Sequence, residues 1–163
     1  MIRPAPDYLW RISNRADLTG LGGEKSDGRW HTAAHGKRVV YLSEHPALAL
    51  VEVLANLHGD PRLLPNTYQL ISVRIEAGLA AEEFDSASLS ENWRADLNET
   101  QAAGDEWLAR GSSALLAVPS GPSPESVNYL LNPLHGNARR LAIEWAKWFG
   151  YDKRLFGIRD GRS

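Results

Sequence analysis

Residues 39–58 read VVYLSEHPALALVEVLANLH, and the change of pattern inside this stretch decides the architecture. Lys37 to Ser43 contains Val39, Val40, Tyr41 and Leu42, a set suited to a half-buried pleated strand. Ser43 and Pro46 then mark a helix start, because a hydroxyl can cap the first turn and proline is tolerated where the amide has no intrahelical partner. The helix runs to about His58, with Gly59 as its terminator. Leu48, Val51 and Ala55, with Ala47, Leu50, Leu54 and Leu57, make it apolar around most of its circumference, which predicts a largely buried helix.

Glu52 is the only ionisable residue between His45 and His58, and its helical neighbours are Leu48, Ala49 and Ala55. Burying a carboxylate is costly unless a partner compensates, so a lone acid here needs a reason. Two accounts stand open. Either Glu52 faces a functional site, or it forms an internal ion pair with Arg11 or Arg29 on a helix less buried than its pattern indicates.

Towards the amino terminus, Tyr8, Trp10 and Ile12 alternate with Leu9 and Arg11, which predicts a strand over Tyr8 to Ser13. Leu18 to Gly28 carries Gly20, Gly22, Gly23 and Gly28 and reads as a mobile loop delivering Arg29, Trp30 and His31. Towards the carboxyl terminus the pattern predicts a strand over Thr67 to Ile75, a polar loop through Asn98 and a short helix near Gln101 to Arg110. A strand over Ala114 to Pro119, a Ser/Pro/Gly turn and a strand over Ser126 to Leu131 follow. Arg139 to Phe149 is a strand or a short helix, the alternation of Leu141, Ile143 and Trp145 favouring strand.

Composition sets the outer limits. The chain has 163 residues, 43% hydrophobic and 23% charged, in the range of one globular domain with a sizeable core. A formal net charge of −2 supplies no overall basic field for nucleic acid. The absence of cysteine excludes disulfides, thiolate metal sites and a cysteine nucleophile, and fits a reducing, cytoplasmic setting. No secretory signal core and no membrane-length apolar run is present, so no membrane association is expected.

Other residues could carry chemistry beside Glu52. Arg29, after a glycine-rich loop, could swing its guanidinium fork onto phosphate oxygens. Tyr41 offers a flat face for an aromatic or cationic ring. Ser126 and Asn128 share one face of a predicted strand and supply a hydroxyl and an amide. The five histidines lack metal-ligand spacing, though His31, near Arg29, is a candidate substrate-binding residue. The glycine-rich loop matches neither a dinucleotide fingerprint nor a Walker loop.

The order of these pieces carries a resemblance: Leu-Trp-Arg-Ile at 9–12, Gly-Gly at 22–23, Gly-Arg-Trp-His at 28–31, Val-Val-Tyr-Leu-Ser at 39–43 and Ala-Leu-Val-Glu-Val-Leu at 49–54. Ser-Val-Asn-Tyr-Leu-Leu-Asn-Pro at 126–133 and Arg-Leu-Phe at 154–156 complete it. Together they resemble the RES domain, the toxin half of Xre–RES toxin–antitoxin pairs. The family's Arg, Glu and Ser would here be Arg29, Glu52 and Ser126. One departure is His31, where Asn commonly follows the Arg-Trp pair.

The resemblance implies an α+β fold like that of ADP-ribosyltransferase toxins, a mixed β-sheet core with flanking helices, as a single domain over 1–156 with 157–163 as a tail. It implies cleavage of the nicotinamide–ribose bond of NAD by hydrolysis or phosphorolysis, or transfer of ADP-ribose to a protein, with NAD as substrate and no cofactor or metal. On that basis Glu52 does the chemistry, Arg29 and Arg11 hold the phosphates, Tyr41 packs on nicotinamide, and Ser126 with Asn128 positions nicotinamide or its ribose. The implied partner is an Xre-type antitoxin that covers the site, any DNA contact being indirect. A ribonuclease using His31, Arg29 and Glu52, and a non-enzymatic nucleotide-binding module, are the rival readings. The six tryptophans serve either the core or an interface, a homodimer included.

Overall fold

A computed structural model describes residues 1–58, 60 and 63–157. Gly59 and residues 158–163 lie outside the described residues, and with them the expected helix terminator and most of the expected tail. Eight strands and two α-helices are present among the described residues: β1 (Ile2–Pro4), β2 (Tyr8–Ser13), β3 (Val40–Ser43), α1 (Pro46–Asn56), β4 (Gln69–Ile75), β5 (Ala80–Glu83), α2 (Leu97–Arg110), β6 (Leu115–Pro119), β7 (Val127–Leu131) and β8 (Leu141–Trp148).

The strands form one sheet in the order β1-β5-β6-β7-β3-β2-β4-β8. Only β5 and β6 run parallel, so the sheet is mixed, as the α+β expectation requires. Its pairing is uneven at the centre. β2 pairs with β4 from Tyr8↔Arg74 to Ser13↔Gln69, whereas β2 and β3 share the single pair Trp10↔Ser43 and then separate. The sheet therefore opens between its two middle strands, and α1 packs against both of them.

Core residues lie on both faces of the sheet. Leu115 and Ala117 of β6 join Leu9, Leu42, Ile71 and Val73 on one side, while Leu116 and Val118 join Trp30, Trp107 and Leu130 on the other. A strand buried on both faces reads as an unbroken apolar run, which is the pattern of Leu115–Val118. α2 covers the second face at very close range. A Cβ placed on Gly104 would lie 1.7 Å from the Trp30 carbonyl oxygen, so only glycine lets the helix sit there.

Several expectations need correction. α1 is not largely buried: Leu48 and Ala49 are, but Val51 is 38% exposed and Ala47 and Ala55 also face outward. Its cap is His45, whose Nδ1 accepts from the Ala47 amide at 3.0 Å, because the Ser43 hydroxyl is committed to Asn128. β1 and β5 fall where no strand was expected. β1 contains a proline, and β5 reads Ala-Ala-Glu-Glu with neither a β-branched nor an aromatic residue. α2 begins at Leu97, ahead of Gln101, with the Asp96 carboxylate accepting from the Asn98 amide as its cap.

Candidate active site

The opening between β2 and β3 is a cleft of about 700 Å³. Its wall includes Trp10, Arg11, Arg29, Tyr41, Glu52 and Asn128, residues brought from β2, the loop after the glycine-rich stretch, β3, α1 and β7. A smaller pocket of about 240 Å³ adjoins it, sharing Arg11, Asp27, Gly28 and Tyr41 and adding His31. Both volumes together are ample for a small-molecule ligand.

Glu52 projects from the half-exposed α1 into this cleft. Its Oε1 accepts two hydrogen bonds, from Asn128 Nδ2 at 2.6 Å and from Ser120 Oγ at 2.7 Å. Both donors are uncharged, so Glu52 is not in the internal ion pair with Arg11 or Arg29 left open by its sequence. Among the described residues, Oε2 has no hydrogen-bond partner. Ser43 Oγ donates at 2.8 Å to Asn128 Oδ1, which fixes the amide so that its NH2 points at Glu52. The carboxylate is thus oriented on one oxygen and free on the other.

Ser120 was not foreseen. It is fully buried at the end of β6, and its signal in the sequence is only the polar residue that closes an apolar strand. Ser126, the serine expected to join Asn128, precedes β7 and does not line the cleft. Its carbonyl accepts from the Ser120 amide at 3.0 Å and its hydroxyl lies 3.0 Å from Ser123 Oγ, so it closes the turn that presents Ser120.

Arg29 is held by contacts from far along the chain. Its guanidinium donates to the Arg94 carbonyl at 3.2 Å and, over a long 3.5 Å, to that of Trp93. It lies 5.7 Å from the centre of the Trp93 ring, and it packs so closely on Gly121 that a Cβ there would stand 2.5 Å from Nε. Arg94 Nε donates at 2.7 Å to the Gly121 carbonyl and ties the two segments together. Arg11 is half-buried, its Nη1 donating to the Asp17 carbonyl at 3.1 Å. Burial lowers its pKa, and the Asp17 charge opposes that shift. Neither guanidinium uses its charge on a carboxylate in hydrogen-bond contact, so both remain available to an anion in the cleft.

Tyr41 and His31 brace one another. Tyr41 Oη accepts from the Trp30 amide at 3.1 Å and lies 2.8 Å from His31 Nδ1, while His31 Nε2 lies 3.0 Å from the Gly23 carbonyl. A carbonyl only accepts, so in the neutral ring the proton is on Nε2 and Nδ1 accepts the Tyr41 hydroxyl. Burial pushes the Tyr41 hydroxyl well above its ordinary range. Its oxygen is used by the fold, and what Tyr41 offers a ligand is its ring. His31 is 2% exposed with both nitrogens engaged, so within the wall it braces Tyr41 and has no ring nitrogen left for a ligand.

No group of three or more potential metal ligands exists among the described residues, and no helix among them is long and apolar enough to cross a membrane.

The sequence pattern described as the RES domain matches residues 8–150. The chain is 40% identical over 148 residues to Toxin Res of Pseudomonas putida, covering 91% of this chain and 99% of that protein. It is 30% identical over 157 residues to the Prs ADP-ribosylating toxin of a Sphingobium species, covering 90% and 95%. Its fold is similar to a chain in the crystal structure of the M. tuberculosis MbcT–MbcA toxin–antitoxin complex, with a TM-score of 0.73 at 16% identity over 96% of this chain and 90% of that one.

Proposed function

The chain belongs to the RES-domain family, and we propose that it is the toxin of a toxin–antitoxin pair whose activity breaks the nicotinamide–ribose bond of NAD. One observation carries the proposal. Glu52 presents a free carboxylate oxygen to a cleft that also holds two guanidiniums and an aromatic ring.

The chemistry follows from that arrangement. The bond from ribose C1′ to the pyridinium nitrogen breaks, and its electron pair leaves with nicotinamide as a neutral ring. Positive charge builds on C1′ and the ring oxygen of the ribose. A carboxylate already oriented beside that centre lowers the barrier without reorganising, as in glycoside hydrolysis. An acceptor oxygen then bonds to C1′ and gives up its proton.

Ser120 and Asn128 hold the carboxylate in place, and Ser43 holds Asn128. Arg29 and Arg11 bind the pyrophosphate, whose bidentate demand suits guanidinium. The Tyr41 ring flanks nicotinamide. Ser126 acts through the turn that carries Ser120, and His31 acts through Tyr41.

Water or phosphate is the acceptor in this proposal, giving NAD depletion. Transfer of ADP-ribose to a protein is the second reading, favoured by the likeness to the Prs ADP-ribosylating toxin of Sphingobium. The partner is an antitoxin of the Xre type that covers the cleft, consistent with the fold's likeness to a chain in a toxin–antitoxin complex. Incubating the purified chain with NAD, with and without phosphate, and weighing the products by mass spectrometry separates these outcomes. Free ADP-ribose marks hydrolysis, ADP-ribose 1″-phosphate marks phosphorolysis, the mass of ADP-ribose added to protein marks transfer, and NAD left intact overturns the activity.

A further inference from the structure

Two large aromatic rings stand on the cleft wall among the described residues, Tyr41 and Trp10. Tyr41 borders the smaller side pocket as well, whereas Trp10 lines only the main cleft, whose wall also includes Val53 and Asn56 of α1 and His58 beyond its end. Trp10 lies where β2 parts from β3, opposite Ser43. It is half-buried, so part of its indole remains open.

That indole is braced from the side away from β3. Trp10 pairs with Ser72, and Ser72 with Trp145, making one row across β2, β4 and β8. Ser72 is small and 1% exposed, so the two indoles meet over it, centroids 5.6 Å apart and planes at 64°. Tyr8 stands 6.4 Å from Trp10 along the same strand face. Lys147 Nζ sits 4.2 Å from the centre of the Trp145 ring and occupies that ring, leaving Trp10 as the open member of the row. Aromatic pairs prefer such edge-to-face geometry and gain from it beyond the area they bury.

A dinucleotide carries two flat rings joined through two phosphates. The proposed activity uses one ring at Glu52 and Tyr41 and the phosphates at Arg11 and Arg29. We infer that Trp10, backed by Trp145, is the stacking platform for the second ring, the adenine, and that it makes the site prefer a dinucleotide over a mononucleotide. The inference rests on NAD being the substrate. Base–aromatic stacking tolerates many bases but needs a flat face, so the platform reads the presence of a second ring and not its edge pattern.

The test compares the wild type with Trp10→Leu, which keeps apolar bulk without a flat face, and Trp10→Phe, which keeps one. Turnover of NAD and of nicotinamide mononucleotide is measured together with melting temperature. Trp10→Leu is expected to lower the NAD-to-mononucleotide ratio of kcat/KM by about 5- to 100-fold, and Trp10→Phe to restore most of it. An equal fall for both substrates in a folded protein overturns the platform. Calorimetric binding of adenosine monophosphate reads the platform independently of turnover. Weaker binding by Trp10→Leu supports it; equal affinity, or no binding by the wild type, overturns it. A wild type that binds the adenine nucleotide but consumes no NAD overturns the proposed activity and leaves the platform standing.

Discussion

The Ser120 hydroxyl donates to Oε1 of Glu52 at 2.7 Å across 68 residues of chain. It shares that oxygen with the Asn128 amide at 2.6 Å. A hydrogen bond to a charged group contributes about 1.5–3 kcal/mol, and here it goes into holding a carboxylate in one direction. Ser120→Ala is expected to lower kcat for NAD loss about ten-fold or more, with KM little changed, because the phosphate contacts are untouched. Ser43→Ala, acting through Asn128, should move kcat the same way by less. Steady-state kinetics on both variants checks this, and a Ser120→Ala enzyme with wild-type kcat would remove Ser120 from the site.

Gly121 and Arg29 give a second prediction. A Cβ at position 121 would stand 2.5 Å from Arg29 Nε, and the side chain can yield where backbone cannot. Gly121→Ala should therefore fold normally while pushing the guanidinium off its seat against Trp93 and Arg94. The expected result is a fall in kcat/KM of about 10- to 100-fold, carried by KM, with a melting temperature close to that of the wild type. A variant with unaltered KM for NAD would show that Arg29 does not bind the substrate from this position.

Much of this site was legible in the sequence, for identifiable reasons. Glu52 stood out because it interrupts an apolar helix, and Arg11, Arg29, Tyr41 and Asn128 do meet at one cleft with it. What could not be read was depth. The apolar run in α1 suggested burial on all sides, yet Val51, Ala47 and Ala55 face outward, because nothing in a helix's own pattern says how many neighbours the fold supplies. Ser120 was missed for a related reason. Its value comes from the register of β6 against β7 and from α1 crossing nearby, which are long-range facts with no local signature. The mobility expected of Arg29 rested on the glycines before it, but its position is set by Trp93, Arg94 and Gly121, far along the chain. Strands with β-branched and aromatic residues were recognised, whereas β5, made of Ala and Glu, exists only because β1 and β6 pair with it.

Gly104 supports a prediction about stability. Its Cα faces the Trp30 carbonyl, and an added Cβ would meet that backbone oxygen at 1.7 Å, where no flexible side chain can yield. α2 would have to move away from the Trp30 and Trp107 cluster. Gly104→Ala should cost about 3 kcal/mol, at the upper end of overpacking effects, despite alanine's better helix propensity. Chemical denaturation measures it, and a stabilised Gly104→Ala protein would show that the helix does not approach the chain this closely.

Asp105 gives the fold a dependence on pH. Its carboxylate accepts from the Thr32 amide at 3.0 Å, the Thr32 hydroxyl at 2.5 Å and Lys37 Nζ at 2.9 Å, pinning α2 to the segment behind Arg29. Burial alone would raise its pKa, but the hydrogen bonds from Thr32 and Lys37 outweigh that and hold it below the usual range. A carboxyl that titrates lower when folded stabilises fully above its unfolded pKa of about 3.9. That contribution fades as pH falls through the folded value. Asp105→Asn should thus be less stable than the wild type at pH 7, with the gap closing under acid. Denaturation curves at pH 7 and below pH 4 test this, and a gap that does not shrink would contradict it.

The central claim is that a carboxylate steadied on one oxygen acts with the other on the sugar carbon of NAD. Nicotinamide release by the purified wild type and by Glu52→Gln, followed by chromatography at saturating NAD, tests it most directly. The account predicts steady release by the wild type and a loss of at least about 100-fold in the amide variant, with both proteins melting at similar temperatures. Equal release by the two, or none by the wild type, would contradict it.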